Sequence, residues 1–144
     1  KAIDWAVGQG ARLINLSLGT VRSENELILW ASVQRAVEQG ALIVSPLEHE
    51  GRIWLPGSLE GVAGAILDWG CPRDQIRVES GPAGEGVFVA SGLPRPIPGV
   101  STENNLKGVS FAAANVTGIL ACLLEGRPEI QSLGDVWPLL HDPG

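Results

Sequence analysis

One short run of residues decides the fold class of this chain: positions 41–45 read Ala-Leu-Ile-Val-Ser and follow directly on Gly40. The run carries no charged side chain, which is typical of a strand covered on both faces in a parallel sheet. The segment before it opens with Ser23-Glu24-Asn25-Glu26, which resembles a capping box. Apolar residues then recur at the spacing of one helix face: Leu29, Val33, Ala36 and Val37. We therefore predict a helix that Gly40 ends in the left-handed conformation, followed by a buried strand.

Helices and strands alternate along the rest of the chain. We predict helices over 1–8 and 109–124, strands over 12–17, 61–67 and 86–90, a hairpin piece near Ile76–Val78, and a loop over 92–105. A final short helix is expected to break at Pro138. Strands separated by helices at these distances imply right-handed crossovers. The prediction is one α/β domain over residues 1–144, a three-layer sandwich with a mainly parallel sheet.

The composition limits the classes of function. The formal net charge is −6, with 44% hydrophobic and 18% charged residues, and such a chain lacks the basic face that nucleic acids require. No apolar run reaches the ~18 residues that span a membrane. We expect peptide or protein partners, no nucleic acid, no membrane, no cofactor and no metal. A cytoplasmic location is favoured, since no signal peptide is visible and the two cysteines lie far apart.

Residues 108–118 read Gly-Val-Ser-Phe-Ala-Ala-Ala-Asn-Val-Thr-Gly and put Ser110 in the first turn of a predicted helix. A hydroxyl there lies at the positive end of the helix dipole, where developing negative charge is favoured. This is one way to build a nucleophile and half of an oxyanion hole. The alternative is a serine that only caps the helix.

The same segment resembles the active-serine motif of the subtilisin-like serine peptidases (subtilases), Gly-Thr-Ser-Met-Ala-x-Pro-His-Val-Ala-Gly. The matching residues are Gly108, Ser110, Ala112, Val116 and Gly118. Three positions differ, with Val109 for threonine, Ala114 for proline and Asn115 for histidine. Further blocks resemble the family in the family's order: 2–19, 40–51, 55–66 and 86–92. The resemblance implies a truncated subtilisin-like domain, the carboxyl-terminal half of the family domain with degenerate motifs.

The resemblance also implies roles for individual residues. Ser110 stands at the nucleophile position. His49 replaces the asparagine that completes the oxyanion hole, and loss of such a hydrogen-bond donor lowers the turnover number by about 10²–10³-fold. His49 can donate one hydrogen bond there, or it is only a turn residue. The peptide-binding positions are Ser17, Leu18, Gly19, Leu47 and Glu48.

Within that set, Ser17-Leu18-Gly19 resembles an edge that pairs with substrate as an added strand, the alternative being an ordinary strand followed by a turn. Glu48 replaces a glycine that walls the pocket for the residue before the cut, so it would repel acidic peptides and favour basic ones. The alternative is a remodelled loop in which Glu48 points to water. Trp54 is the best tryptophan candidate to line a groove, and Pro46 predicts a local distortion of its strand.

A serine nucleophile needs a base and a group that orients the base. The family's Asp-x-Gly and His-Gly-Thr motifs do not occur here, and the only histidines are His49 and His141, the latter expected to be solvated. We therefore favour a pseudo-peptidase that binds a peptide or protein segment along a sheet edge without cleaving it. A homodimer or a partner chain would cover the open strand at 12–17.

Two alternatives stay open. The chain is the carboxyl-terminal half of an active serine endopeptidase, with Ser110 as nucleophile and Asp and His from a missing upstream segment or a partner chain. Or it is an unrelated α/β module that binds a small anion at the start of the Ser110 helix.

Overall fold

The computed structural model describes residues 1–80 and 86–141, the side chain of His141 excepted. The helices of these residues are α1 (Ala2–Gly8), α2 (Glu26–Glu38), α3 (Val109–Leu124) and α4 (Leu133–His141). The strands are β1 (Leu13–Asn15), β2 (Leu42–Pro46), β3 (Glu48–His49), β4 (Arg52–Ile53), β5 (Val62–Leu67), β6 (Ile76–Ser80) and β7 (Gly86–Ala90). None of these helices combines the length and apolarity that crossing a membrane requires. The expectation for the side chain of His141 lies outside the described part.

Five strands form the central sheet in the order β1-β2-β5-β7-β6. The strands β1, β2, β5 and β7 run parallel, and β6 pairs antiparallel with β7 at the far edge. The β6–β7 pair is the hairpin expected near Ile76–Val78, although residues 81–85 between its strands are outside the described part. The predicted mainly parallel sheet is confirmed.

Helices cover both faces of this sheet. Successive residues of a strand point to opposite faces, so Ile43 packs with α1 and α2 while Val44 packs with α3 and α4. Both side chains are 0% exposed, which is why the stretch 41–45 has no charged residue. The partners on the α3 side include Phe88, Val116 and Val136, and those on the other side include Ile3 and Val33. The three-layer α/β sandwich is therefore confirmed.

The helix ends differ from the prediction in two places. Ser23–Asn25 forms a 3-10 turn, and α2 begins at Glu26 without a side-chain capping bond. A reciprocal cap instead precedes α4, where Ser132 Oγ donates to Asp135 Oδ2 at 2.8 Å and accepts from the Asp135 N–H at 3.3 Å. The helix α4 also continues through Pro138. We attribute this to packing, because Val136 is fully buried and the Trp137 ring stacks on Phe88.

Candidate functional site

Ser110 lies in the first turn of α3 and is partly exposed. The helix starts after Gly108, whose φ of 148° favours glycine. The Gly108 N–H donates to the carbonyl oxygen of Gly92 at 3.0 Å, just beyond β7. A Cβ on Gly92 would overlap the Leu67 side chain and lie 3.2 Å from the Gly108 oxygen. The close contact of these two glycines brings Ser110 to the carboxyl ends of the parallel strands.

Asn115 ties the same helix to the end of β7. Its Nδ2 donates to the carbonyl oxygens of Ser91 at 2.8 Å and Leu93 at 3.1 Å. Ser91 is 1% exposed, and its Oγ accepts from the Leu93 N–H at 3.3 Å. In the sequence, Asn115 stands out only as a departure from the motif around Ser110. An uncharged double donor beside a strand end gave no recognisable signal, and the structure identifies Asn115 as a positioning residue for α3.

The strand β1 forms one edge of the sheet. The Leu42 N–H donates to the Arg12 oxygen and the Leu16 N–H to the Val44 oxygen, both at 2.9 Å. In a parallel pair the backbone N–H and C=O groups of alternate residues point away from the partner strand, here those of the residues that alternate with Arg12, Ile14 and Leu16. The outward-facing residues of this edge are Leu13, Asn15 and Ser17.

Pro46 explains where this edge leaves the sheet. The next bond of the ladder would run from residue 46 to the Leu16 oxygen, and proline has no N–H to donate. On its other side β2 stays in register, with Pro46 opposite Ala65 and the Leu47 N–H donating to the Ala65 oxygen at 2.9 Å. The distortion predicted for Pro46 is therefore absent from β2. The missing donor instead ends the backbone ladder at Leu16, and beyond it the Leu18 oxygen accepts from the Ser45 Oγ hydroxyl of β2 at 3.4 Å.

The segment Ser17-Leu18-Gly19 lies at the carboxyl end of β1. Ser17 is exposed and Leu18 is 72% exposed. Asn15 Nδ2 donates to Ser17 Oγ at 2.8 Å, and Thr117 Oγ1 of α3 donates to Asn15 Oδ1 at 3.1 Å. Immediately afterwards Thr20 and Leu55 exchange two backbone hydrogen bonds of 2.9 and 2.8 Å. The open part of the edge therefore ends at Leu18.

His49 belongs to a small hairpin formed by β3 and β4. Its two-residue turn, Glu50-Gly51, has φ values of 52° and 73°, which are typical of a type I′ turn. His49 lies opposite Arg52, so the two side chains share one face of the hairpin. The His49 ring contacts Trp54 edge-on at 5.4 Å between centroids, and its Nε2 is 3.7 Å from Glu50 Oε1. The oxyanion-hole role of His49 stays a prediction.

Glu48 and Leu47, which precede His49 in the chain, lie in surroundings different from those of His49. Glu48 pairs with Ile53 and alternates with His49 along the strand, so it lies on the opposite face of the hairpin. Leu47 is 6% exposed, and its carbonyl oxygen accepts from the Trp54 N–H at 2.8 Å. Their assignment as peptide-binding residues stays a prediction.

A cavity of about 290 Å³ opens between the hairpin and the segment that follows β1. Its lining consists of Gly19, Thr20, Val21, Arg22, His49, Glu50, Arg52 and Trp54. A Cβ on Gly19 would lie 2.7 Å from Trp54 Cε3, so the glycine allows this close contact. We call this space the hairpin cavity. Trp54 does line a groove, and through Gly19 that groove adjoins the open edge.

A larger cavity, of about 660 Å³, lies at the amino ends of β5 and β7 against α4. Of the predicted site residues it contacts Leu47 alone. It is therefore separate from the Ser17–Leu18 edge and from Ser110.

No base for Ser110 is found in the part of the chain that the structure describes. The α3 side chains that make hydrogen bonds there are Asn115 and Thr117. At the end of β5, Asp68 accepts from Arg77 and from the Gly70 N–H, each at 2.8 Å. The Arg77 guanidinium, helped by that N–H, lowers the pKa of Asp68, so the carboxylate is held as an ion-pair partner. Within residues 1–80 and 86–140, no three potential metal ligands among His, Cys, Asp and Glu converge.

Comparison with known proteins gives a similarity of structure. No family model and no curated protein matches the chain. Its structure is similar to that of the prenylagaramide maturation protease PagA, with a TM-score of 0.56 and 24% sequence identity. The match covers 91% of this chain and 50% of that one, so the chain spans about half the length of the solved structure it matches. A likeness at this identity shows a shared fold and nothing finer.

The assignment to the subtilisin-like peptidases is wrong as a statement of family. No family model matches, and the similarity to PagA reaches only the level of the fold. The structure gives a physical reason for the motif likeness. Ala112 and Val116 are 0% exposed between α3 and the sheet, and Gly108 has a φ that favours glycine. Packing and backbone geometry therefore account for most of the matched positions without a shared active site.

Proposed function

We propose that this chain binds an extended peptide or protein segment along the outer edge of β1, continued by Ser17 and Leu18, and does not itself cleave it. The observation that carries the proposal is the outward direction of the backbone groups of Leu13, Asn15 and Ser17. An added strand would satisfy these groups by main-chain hydrogen bonds. From Arg12 to Leu18 the edge has a length of roughly 20 Å, at about 3.3 Å per residue, which suits a strand of five or six residues.

Two further observations support the proposal. PagA, which has a similar fold, is a maturation protease, and proteolysis begins with the binding of a polypeptide segment. The absence of cleavage is supported by Ser110, which makes no hydrogen bond to a histidine or carboxylate in the described part of the chain.

The test uses fluorescein-labelled hexapeptide mixtures and fluorescence polarisation, with mass spectrometry of the peptides after incubation. We expect saturable binding and intact peptides. Ser17→Pro removes one outward N–H, whereas Ser17→Ala keeps it and loses the same hydroxyl. One net hydrogen bond of about 1 kcal/mol predicts at least fivefold weaker binding for the proline variant than for the alanine variant.

Peptides that carry N-methyl groups provide a second measurement that does not depend on a variant folding. They lack the main-chain donors that strand addition uses, so they should bind at least tenfold more weakly. Equal binding of methylated and unmethylated peptides would overturn the edge mechanism. Fragments in the mass spectrum that Ser110→Ala abolishes would overturn the statement that the chain does not cleave.

The same open edge supports a homodimer or a partner chain as an occupant of the strand at 12–17. In that proposal a second copy pairs its β1 across the edge and competes with peptide. Light scattering at micromolar concentration should then give a dimer mass that saturating peptide lowers. A strict monomer without peptide would exclude the homodimer.

Ser110 favours a second candidate function, because it is partly exposed at the carboxyl ends of the strands, in the first turn of α3. In that case the chain is one half of a serine endopeptidase, and an Asp and a His come from another segment or chain. A fluorophosphonate probe distinguishes the two functions. Labelling that Ser110→Ala abolishes supports the endopeptidase, and no labelling of folded, peptide-binding protein supports the binding domain.

A further inference from the structure

We propose that the hairpin cavity receives an acidic side chain, aspartate or glutamate, of the segment bound along the β1 edge. The inference rests on the proposed function and adds a chemical preference to it. The cavity begins where the open edge ends, since Gly19 follows Leu18 and is part of the lining. A strand added along Ser17 and Leu18 therefore directs one of its side chains toward this space.

The size of the cavity suits one side chain. Its volume of about 290 Å³ is at the lower end of the range for small-molecule sites, which is about 300–1,000 Å³. Trp54 forms one wall and is half-buried against Gly19. An indole wall packs against the methylene groups of a glutamate as well as against an apolar side chain. The preference must therefore come from charge.

Two arginines decide the charge of the cavity. Arg52 shares the His49 face of the hairpin, and Arg22 lines the opposite side. The ion pairs found among the described residues involve neither of them. Among the lining residues that the structure describes, Glu50 is the single carboxylate, and it lies 3.7 Å from His49 Nε2. The lining is thus locally positive in a chain whose net charge is −6.

A guanidinium is suited to a carboxylate because it offers parallel N–H donors to both oxygens. Two arginines that form no ion pair with another described residue therefore favour an acidic guest over a neutral one of the same shape. This reverses the expectation that Glu48 selects basic peptides. Glu48 lies on the other face of the hairpin and does not line the hairpin cavity in the described structure.

The test uses labelled hexapeptide mixtures in which one position at a time is fixed as Glu, Gln or Lys, with Ala, Val, Leu and Ser elsewhere. At one position we expect the Glu mixture to bind at least tenfold more tightly than the Gln mixture, and the Lys mixture more weakly still. Arg52→Gln and Arg22→Gln should each reduce the preference for Glu to less than threefold. Arg73→Gln is the matched control, since it removes the same charge from an exposed arginine outside the cavity.

The outcomes separate this inference from the proposed function. If all mixtures bind but Glu, Gln and Lys are equivalent at every position, the cavity has no acidic preference and the edge mechanism stands. A preference for Lys that Arg22→Gln and Arg52→Gln leave unchanged would assign the specificity to the glutamates and overturn the inference. If no mixture binds at any position, the proposed function itself fails.

Discussion

Asn115 offers the most direct test of how α3 is positioned over the strand ends. Its side-chain amide donates to two backbone carbonyl oxygens, those of Ser91 at 2.8 Å and Leu93 at 3.1 Å. Each hydrogen bond stabilises the folded state by about 0.5–1.5 kcal/mol net. We therefore expect Asn115→Ala to lower the free energy of unfolding by about 2 kcal/mol. At this chain length that corresponds to a fall in Tm of roughly 6–10 °C.

Asn115→Asp has nearly the same shape and tests the direction of the bonds. The introduced carboxylate cannot donate, and it faces two carbonyl oxygens at hydrogen-bond distance, so at pH 7 it should cost about 1 kcal/mol more than Asn115→Ala. Those carbonyls raise the folded-state pKa of the introduced carboxyl. Its extra cost is therefore fully present above that pKa and disappears as the pH falls below the unfolded value of about 4.

The assay is urea unfolding followed by tryptophan fluorescence, at pH 7 and at pH 4, with Asn104→Ala as an exposed control. Unchanged m-values would show that the variants change stability rather than the denatured state. If the free energy of unfolding of Asn115→Ala stays within about 0.5 kcal/mol of that of the parent chain, Asn115 does not anchor α3. If Asn115→Asp and Asn115→Ala are equally stable at pH 7, the two carbonyl oxygens do not face the side chain of residue 115.

Two further predictions concern stability. Gly118→Ala should raise the free energy of unfolding by about 1 kcal/mol, since Gly118 is exposed inside α3 and an added Cβ meets no heavy atom within 4 Å. The matched variant Gly64→Ala should lower the free energy of unfolding, because its Cβ would lie 2.7 Å from the Gly57 oxygen. Asp68 has a pKa lowered by Arg77, so its contribution is present above the ordinary value near 3.9 and is lost as the pH falls through the folded value. Asp68→Asn should therefore destabilise the chain at pH 7 and flatten the acid limb of its pH–stability curve, and an unchanged acid limb would contradict this.

Local sequence patterns were enough to predict the helices and strands whose ends are marked by glycine or whose buried faces are marked by apolar periodicity. The helix predicted over 109–124 has those bounds, and the strand predicted over 86–90 does as well. Gly40 ends α2 with a φ of 76°, as expected. These features depend on contacts between near neighbours in sequence, and such contacts are visible in the order of residues.

Local patterns were less informative at two helix starts, since the capping pattern at Ser23 has no capping bond and the local Ser132–Asp135 cap is absent from the predictions. Other features depend on residues far apart in sequence. The strand expected over 12–17 spans Leu13–Asn15, and its ladder goes no further than Leu16 because Pro46 of the neighbouring strand has no N–H to donate to the Leu16 oxygen. The motif likeness around Ser110 suggested a family because the same small residues are also what helix packing requires.

Consecutive residues were enough to predict an α/β sandwich, its parallel strands and the serine at the start of α3, because burial on two faces and helical spacing show in the order of neighbouring residues. Which groups meet at the carboxyl edge depends on the folded chain. Folding made Asn115 an anchor of α3, turned Glu48 away from the hairpin cavity, and brought Arg22 and Arg52 together around Trp54. Hydrogen bonds and charge pairs act over a few ångströms in space, and chain positions separated by 22 residues or more, as Leu93 and Asn115 are, approach that closely only after the sheet has formed.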